Sequence, residues 1–244
     1  TNVKNNIFIN TRQGGSPNSD TYHTAIWHAH SSQAGWDCNY NFFMNRYSAS
    51  PSSYSYGRLG IWGLDAMHNL DTWNNFSGKD QNSWRVLYNN ISSEAGLNPN
   101  DLFKDTLNYD FSINTAHKAS WFVNGKGEAI PSVASDLFGN PRNNIYGFGT
   151  DIGAHEFTPD NGVLPHELIA TPSKGGTNTF NFAGRDIAAI TWGNTGTVPS
   201  SIALRYYSGD DPVNNFPANV AKTNWYMNIT PTGGSDYTYS ANFF

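Results

Sequence analysis

Val3-Lys4-Asn5-Asn6-Ile7-Phe8-Ile9-Asn10 is a short apolar run inside polar sequence. Two more runs of this kind follow, Ala25-Ile26-Trp27 and Trp36-Asp37-Cys38-Asn39-Tyr40-Asn41-Phe42-Phe43. Each has the length of a strand, carries β-branched or aromatic residues, and is bounded by turn formers. On average their starts lie roughly 15–20 residues apart, as in stacked short strands where each turn of chain pairs with the last. A set of unrelated antiparallel strands fits that spacing equally well.

Moving along the chain, Asp71 reads as an N-cap ahead of Thr72-Trp73-Asn74-Asn75-Phe76, with Gly78 as the stop. This predicts one short helix. Strand-like pieces resume at Asp101-Leu102-Phe103 and Tyr109-Asp110-Phe111-Ser112-Ile113. Beyond Thr158-Pro159-Asp160-Asn161-Gly162 the texture changes to a two-residue alternation. Phe180 and Phe182, Ile190 and Trp192, then Ile202, Leu204 and Tyr206 fall on single strand faces. Trp225, Met227 and Ile229 do the same, as do Tyr237, Tyr239, Ala241 and Phe243. Short alternating strands separated by turn clusters predict a small antiparallel β-sandwich.

Composition agrees with an all-β reading. The 244 residues are 14% charged and 15% aromatic, with 32 Asn and 23 Gly. Disordered chains are poor in aromatics, and helical surfaces need more Glu, Lys and Ala. Asn and Gly supply the backbone angles of turns. The net charge is −5 with no Lys/Arg block, which argues against a nucleic-acid groove. No run of 18 apolar residues exists, so no membrane-spanning segment is expected. Cys38, the single cysteine, has no partner for an intrachain disulfide. The chain starts at Thr1, and both ends carry strand patterns. The expectation is a piece of a longer secreted or cell-surface protein.

Several phrases occur together in a telling order: Val3–Asn10, Trp36–Asn41, Leu70-Asp71-Thr72-Trp73, Asn100-Asp101-Leu102-Phe103, and Tyr109–Ile113. Asp136-Leu137-Phe138-Gly139-Asn140-Pro141-Arg142 and Thr150-Asp151-Ile152-Gly153-Ala154-His155-Glu156-Phe157 close the series. This resembles the C-terminal end of bacterial right-handed parallel β-helix proteins of the pectate-lyase-like superfamily, with His155 where those proteins usually have Tyr. The remainder resembles a small β-sandwich found ahead of type IX sorting signals. The resemblance implies an all-β chain: terminal coils of a right-handed parallel β-helix over residues 1–157, then an antiparallel β-sandwich over residues 158–244. It implies a structural cap built from Asp136, Gly139, Arg142, Asp151, Gly153 and Glu156. In that cap Arg142 pairs with Asp151 or Glu156, and Phe138, Ile152 and Phe157 cover the open end of the stack.

Three groups of residues carry candidate chemistry. Trp27, Trp36, Tyr40 and Trp62, with Trp73 and Trp84, have the rings that stack on sugars, although such rings also fill cores. His28 and His30 share a strand face, and with His23 and Asp37 they are weak metal candidates. Asp65 and Asp71 are the acids nearest the aromatics, but glycoside hydrolysis needs a defined pair. No catalytic set, metal centre or cofactor is predicted. The expected function is non-enzymatic, in adhesion, surface assembly or glycan binding, with polysaccharide or further copies of the chain as partners. The alternative is the C-terminal part of a polysaccharide lyase or glycoside hydrolase.

Overall fold

The computed structural model describes residues 1–11, 23–29, 35–46, 57–63, 65–67, 69–88, 97–143, 149–209 and 224–244. The chain is all-β in class, with 43% of the described residues in strands and 9% in helices.

The first half contains strands β1 (Asn2–Lys4), β2 (Ile7–Asn10), β3 (His23–His28), β4 (Asp37–Asn39), β5 (Phe42–Arg46), β6 (Gly57–Trp62) and β7 (Asp65–Met67). Helix α1 (Leu70–Ser77) and strand β8 (Trp84–Tyr88) follow. Pairing is parallel in β1–β4, in β2–β5–β8 and in β3–β6. Asn2 pairs with Asp37 and Ile7 with Phe42, so the chain returns to register after 35 residues.

The corners explain the asparagines. Asn5 (φ 57°) and Tyr40 (φ 56°) occupy equivalent left-handed positions, one turn apart. Asn tolerates that conformation, whereas Tyr is strained there. Behind them Asn41 Oδ1 accepts from the Asn6 N–H at 2.9 Å, and Ser83 Oγ accepts from the Asn41 N–H at 2.8 Å. A polar ladder thus satisfies the backbone groups that each bend exposes.

Strand alternation makes the β2–β5–β8 sheet a wall between two cores. Phe8 and Phe43 face a small cluster with Leu59, Met67, Leu70 and Trp73. Ile7, Ile9, Phe42, Met44 and Val86 face a larger one. Helix α1 belongs to the small cluster. Its N-cap is Asn69, whose side chain accepts from the Thr72 N–H at 2.8 Å, and not Asp71 as expected. Asp71 lies in the first turn, where its charge suits the helix dipole. The choice follows from packing, because this start turns Leu70 and Trp73 inward. Gly78, with φ 66°, ends the helix as predicted.

Trp73 is tied to a buried carboxylate. Asp80 Oδ2 accepts from Trp73 Nε1 at 2.8 Å, while Oδ1 accepts from Asn41 Nδ2 at 2.9 Å and Ser83 Oγ at 2.6 Å. Asp80→Ala strands the donors of Trp73 and Ser83, takes one of three acceptors from Asn41 Nδ2, and leaves a left-handed residue (φ 56°) without its side-chain bonds. A loss of about 3 kcal/mol or more is expected in urea denaturation. A loss below about 1 kcal/mol would show that the hub is dispensable.

A second helix, α2 (Pro99–Leu102), precedes strands β9 (Phe103–Asp105) and β10 (Asp110–Ile113). Asp101 and Leu102 are therefore helical, and the strand expected there begins only at Phe103. Pro99 opens the helix, and Asp101 Oδ2 accepts from the Asn98 N–H at 2.6 Å. A 3-10 helix at Lys118–Phe122 comes next.

In the second half all pairing among named strands is antiparallel. β11 (Glu167–Ala170), β14 (Ser201–Ser208) and β15 (Trp225–Thr232) form one sheet, in the order β11–β14–β15. β12 (Thr177–Phe182), β13 (Arg185–Trp192) and β16 (Tyr239–Phe243) form another, in the order β12–β13–β16. The alternating residues Phe180, Phe182, Ile190, Trp192, Ile202, Leu204 and Tyr206 all enter the larger core. That core also holds Phe42, Phe122 and Ile152 from the first half, so residues on both sides of position 158 share it. The Arg85 N–H on β8 donates to Ala183 O at 2.8 Å, which docks the β12–β13 turn onto the last parallel strand.

Candidate functional site

The aromatics singled out for glycan contact are dispersed. Trp27, on β3, is 67% exposed. Trp36 stacks on His28 with ring centres 4.4 Å apart, meets Trp73 edge-on, and packs against the small core. Tyr40 lies instead beside a cavity with Trp84 and Tyr206. Trp62 pairs through its backbone with His28, and its side chain is outside the described residues. Trp73 is fully buried.

His30 and the side chains of His23 and Asp65 also lie outside the described residues. Asp37 is engaged with Lys4 at 2.8 Å. Among the described residues no three His, Cys, Asp or Glu side chains converge as metal ligands. None of the helices there is long and apolar enough to cross a membrane. Burial pushes the Cys38 thiol up, which removes its nucleophilic thiolate at neutral pH.

The six cap residues form a connected network. Arg142 Nη1 meets Glu156 Oε2 at 3.2 Å, with both side chains largely buried. The same nitrogen donates to the Asp151 carbonyl at 3.1 Å, and Nη2 donates to the Gly153 carbonyl. Of the two acids considered, the side-chain partner is thus Glu156. Its carboxylate also accepts from Thr150 Oγ1 at 2.7 Å and from the Asn143 N–H at 3.1 Å. Asp151 Oδ1 and Oδ2 accept from the N–H groups of Gly125 and Phe157. Burial, reinforced by Glu156, still pushes the Asp151 carboxyl well up. Burial alone would raise Asp136, but donors from Glu156, Asn140 and Phe138 outweigh it and hold the carboxyl below the ordinary range.

This network rests against the first turn of strands. The Gly153 N–H donates to Asn5 O at 2.9 Å. Gly153 has φ 107°, and a Cβ there would stand 2.8 Å from Ile7 Cδ1, so glycine is required twice over. Ile152 is fully buried and Phe157 packs against the core, whereas Phe138 is 57% exposed and meets His155 edge-on.

Beside the network a groove of about 580 Å³ runs along β2. Ile7, Phe8 and Ile9 form one wall, and Phe103, Phe111 and His155 the other. Partial burial lowers the His155 pKa, and its Nδ1 accepts from the Ile113 N–H at 3.1 Å, so the neutral imidazole is favoured. The hairpin β9–β10 also carries the exposed Leu107 and Tyr109. The sequence reading missed this groove. Its one local signal was three apolar residues, Leu107, Tyr109 and Phe111, around a turn in a charge-poor chain.

No family model, curated protein or solved structure matches the chain.

Proposed function

We propose that this chain is a non-enzymatic assembly module of an extracellular or cell-surface protein. It is read as terminal coils of a right-handed parallel β-helix with their cap, followed by a β-sandwich, and it joins copies head to tail. The observation that carries this reading is β2. Among the described residues it pairs in a sheet only with β5, and its Ile7–Ile9 stretch borders the apolar groove. An edge strand beside an apolar groove accepts an added strand. The chain also carries a suitable donor in β16, an edge strand whose Tyr239 and Phe243 are more than half exposed. Two different surfaces meeting in this way form an open chain of copies unless the rotation closes.

Light scattering across a concentration series should show growing mass, and Phe111→Asp in the groove wall should hold the chain as a monomer. A wild-type chain that stays monomeric at high concentration would overturn assembly. Cleavage of any substrate in a polysaccharide panel would instead favour the lyase or hydrolase alternative.

A further inference from the structure

Lys126 is a lysine in an unusual setting. It is 6% exposed and lies in the larger core, where the first-half segment meets β14. Its Nζ donates to Trp121 O at 2.6 Å and to Ser208 Oγ. Ser208 Oγ gives its own proton to Asn124 O at 2.7 Å, so toward Lys126 it acts as acceptor. Two acceptors match the two N–H bonds of a neutral amine and leave one tetrahedral position for the lone pair. Three rings also lie near the nitrogen. Trp84, Phe182 and Tyr206 have their centres 5.1–5.3 Å from Nζ. Among the described residues no carboxylate comes within 4 Å of the nitrogen. Burial drives its pKa well down, with Asp151 opposing only in part. A desolvated lysine of this kind is nucleophilic at neutral pH.

The lysine also borders a cavity of about 230 Å³, with Trp84 and Tyr206 on the same wall. The lining also includes the polar residues Asn82, Arg185, Asp186 and Asn224, together with Ile187 and Phe244. This volume is below the roughly 300–1,000 Å³ of sites for drug-sized ligands. It suits a short molecule that carries hydroxyl groups. Local backbone keeps the approach close: a Cβ on Gly125, at φ 61°, would collide with the backbone of Gly209.

We propose that Lys126 is a covalent capture site for a short hydroxylated aldehyde, such as an open-chain sugar, held as an imine in this cavity. The nitrogen lone pair attacks the carbonyl carbon and forms the C–N bond. The carbonyl oxygen takes up the two amine protons and leaves as water, so the product is a C=N bond and no oxidant or reductant is needed. Asn82, Asp186 and Asn224 supply hydrogen-bonding groups for the hydroxyls, and Ser208 Oγ, already bonded to Nζ, lies on the path of the departing protons. This inference is independent of the assembly reading, since β2 and its groove contribute nothing to it.

The test is reductive trapping. The full chain is incubated at pH 7 with glyceraldehyde and cyanoborohydride, and adducts are located by peptide mapping. Lys126 should be labelled at least tenfold faster than any of the other six lysines. Equal labelling across lysines, or none at Lys126, would overturn the proposal. Because mapping is done on the wild-type chain, the result does not depend on a variant folding. Lys126→Met should abolish the fast phase, and Asn82→Ala, at the exposed rim, should slow it while the slow surface reaction stays unchanged.

Discussion

Arg142→Met is expected to destabilise the chain by about 3–5 kcal/mol, the cost of breaking a buried ion pair by removing one partner. Glu156 would keep its bonds from Thr150 and Asn143 but lose its only ion-pair cation among the described residues. The carbonyls of Asp151 and Gly153 would lose their guanidinium donor at the same time. For a chain of this length the loss corresponds to a fall of about 10 °C in Tm. The double variant Arg142→Met with Glu156→Gln separates the charge from the packing, since the amide needs no counter-ion. It should be clearly less destabilised than the sum of the single changes. Additive losses in urea denaturation would show that the pair is not coupled. The damage should centre on the first turn of strands, because the network reaches it through Gly153 and Asn5.

Lys126→Met should change how stability depends on pH. An unfolded lysine titrates near 10.4, whereas the folded one titrates well below that. Between those values the unfolded chain binds one proton more than the folded chain, so stability rises with pH. The full contribution is present above about pH 10.4 and is lost as pH falls toward the folded value. Methionine has no such proton. The stability of the wild type relative to the variant should therefore climb by about 1.4 kcal/mol per pH unit across the window. The rings of Trp84, Phe182 and Tyr206 favour the ammonium and so narrow the window from below. Denaturation curves of the two proteins that stay parallel across this range would mean that Lys126 is charged in the fold.

The two sets of residues differ in how far the sequence announced them. The residues of the Arg142–Glu156 network could be singled out together because they are close together in the chain. The spread from Asp136 to Phe157 is short enough for a local motif to be read. Even so, sequence could not choose Glu156 over Asp151 as the partner of Arg142, because both stand within reach and only their directions differ. The Lys126 site has no comparable signal. Its ring shell comes from β8, β12 and β14, and its second acceptor is Ser208, 82 residues away.

What sequence determined by itself was whatever depends on neighbours along the chain. Alternation placed Phe180, Phe182, Ile202, Leu204 and Tyr206 on inward faces, because successive side chains of a strand must point oppositely. Gly78 ended α1, because only a left-handed residue closes that turn cheaply. The asparagines marked bends, and an all-β chain followed. Tertiary structure decided the rest. The choice of Asn69 over Asp71 as N-cap depends on where Leu70 and Trp73 find a core. The 35-residue return depends on the pairing of strands that sequence cannot align. The two-sided role of β5 is of the same origin: Phe42 and Phe43 are alike in sequence, and only the layers packed on each face assign them to different cores. Burial of Lys126 is the extreme case, since lysine ordinarily belongs at the surface, and only the meeting of the two halves takes water away from it.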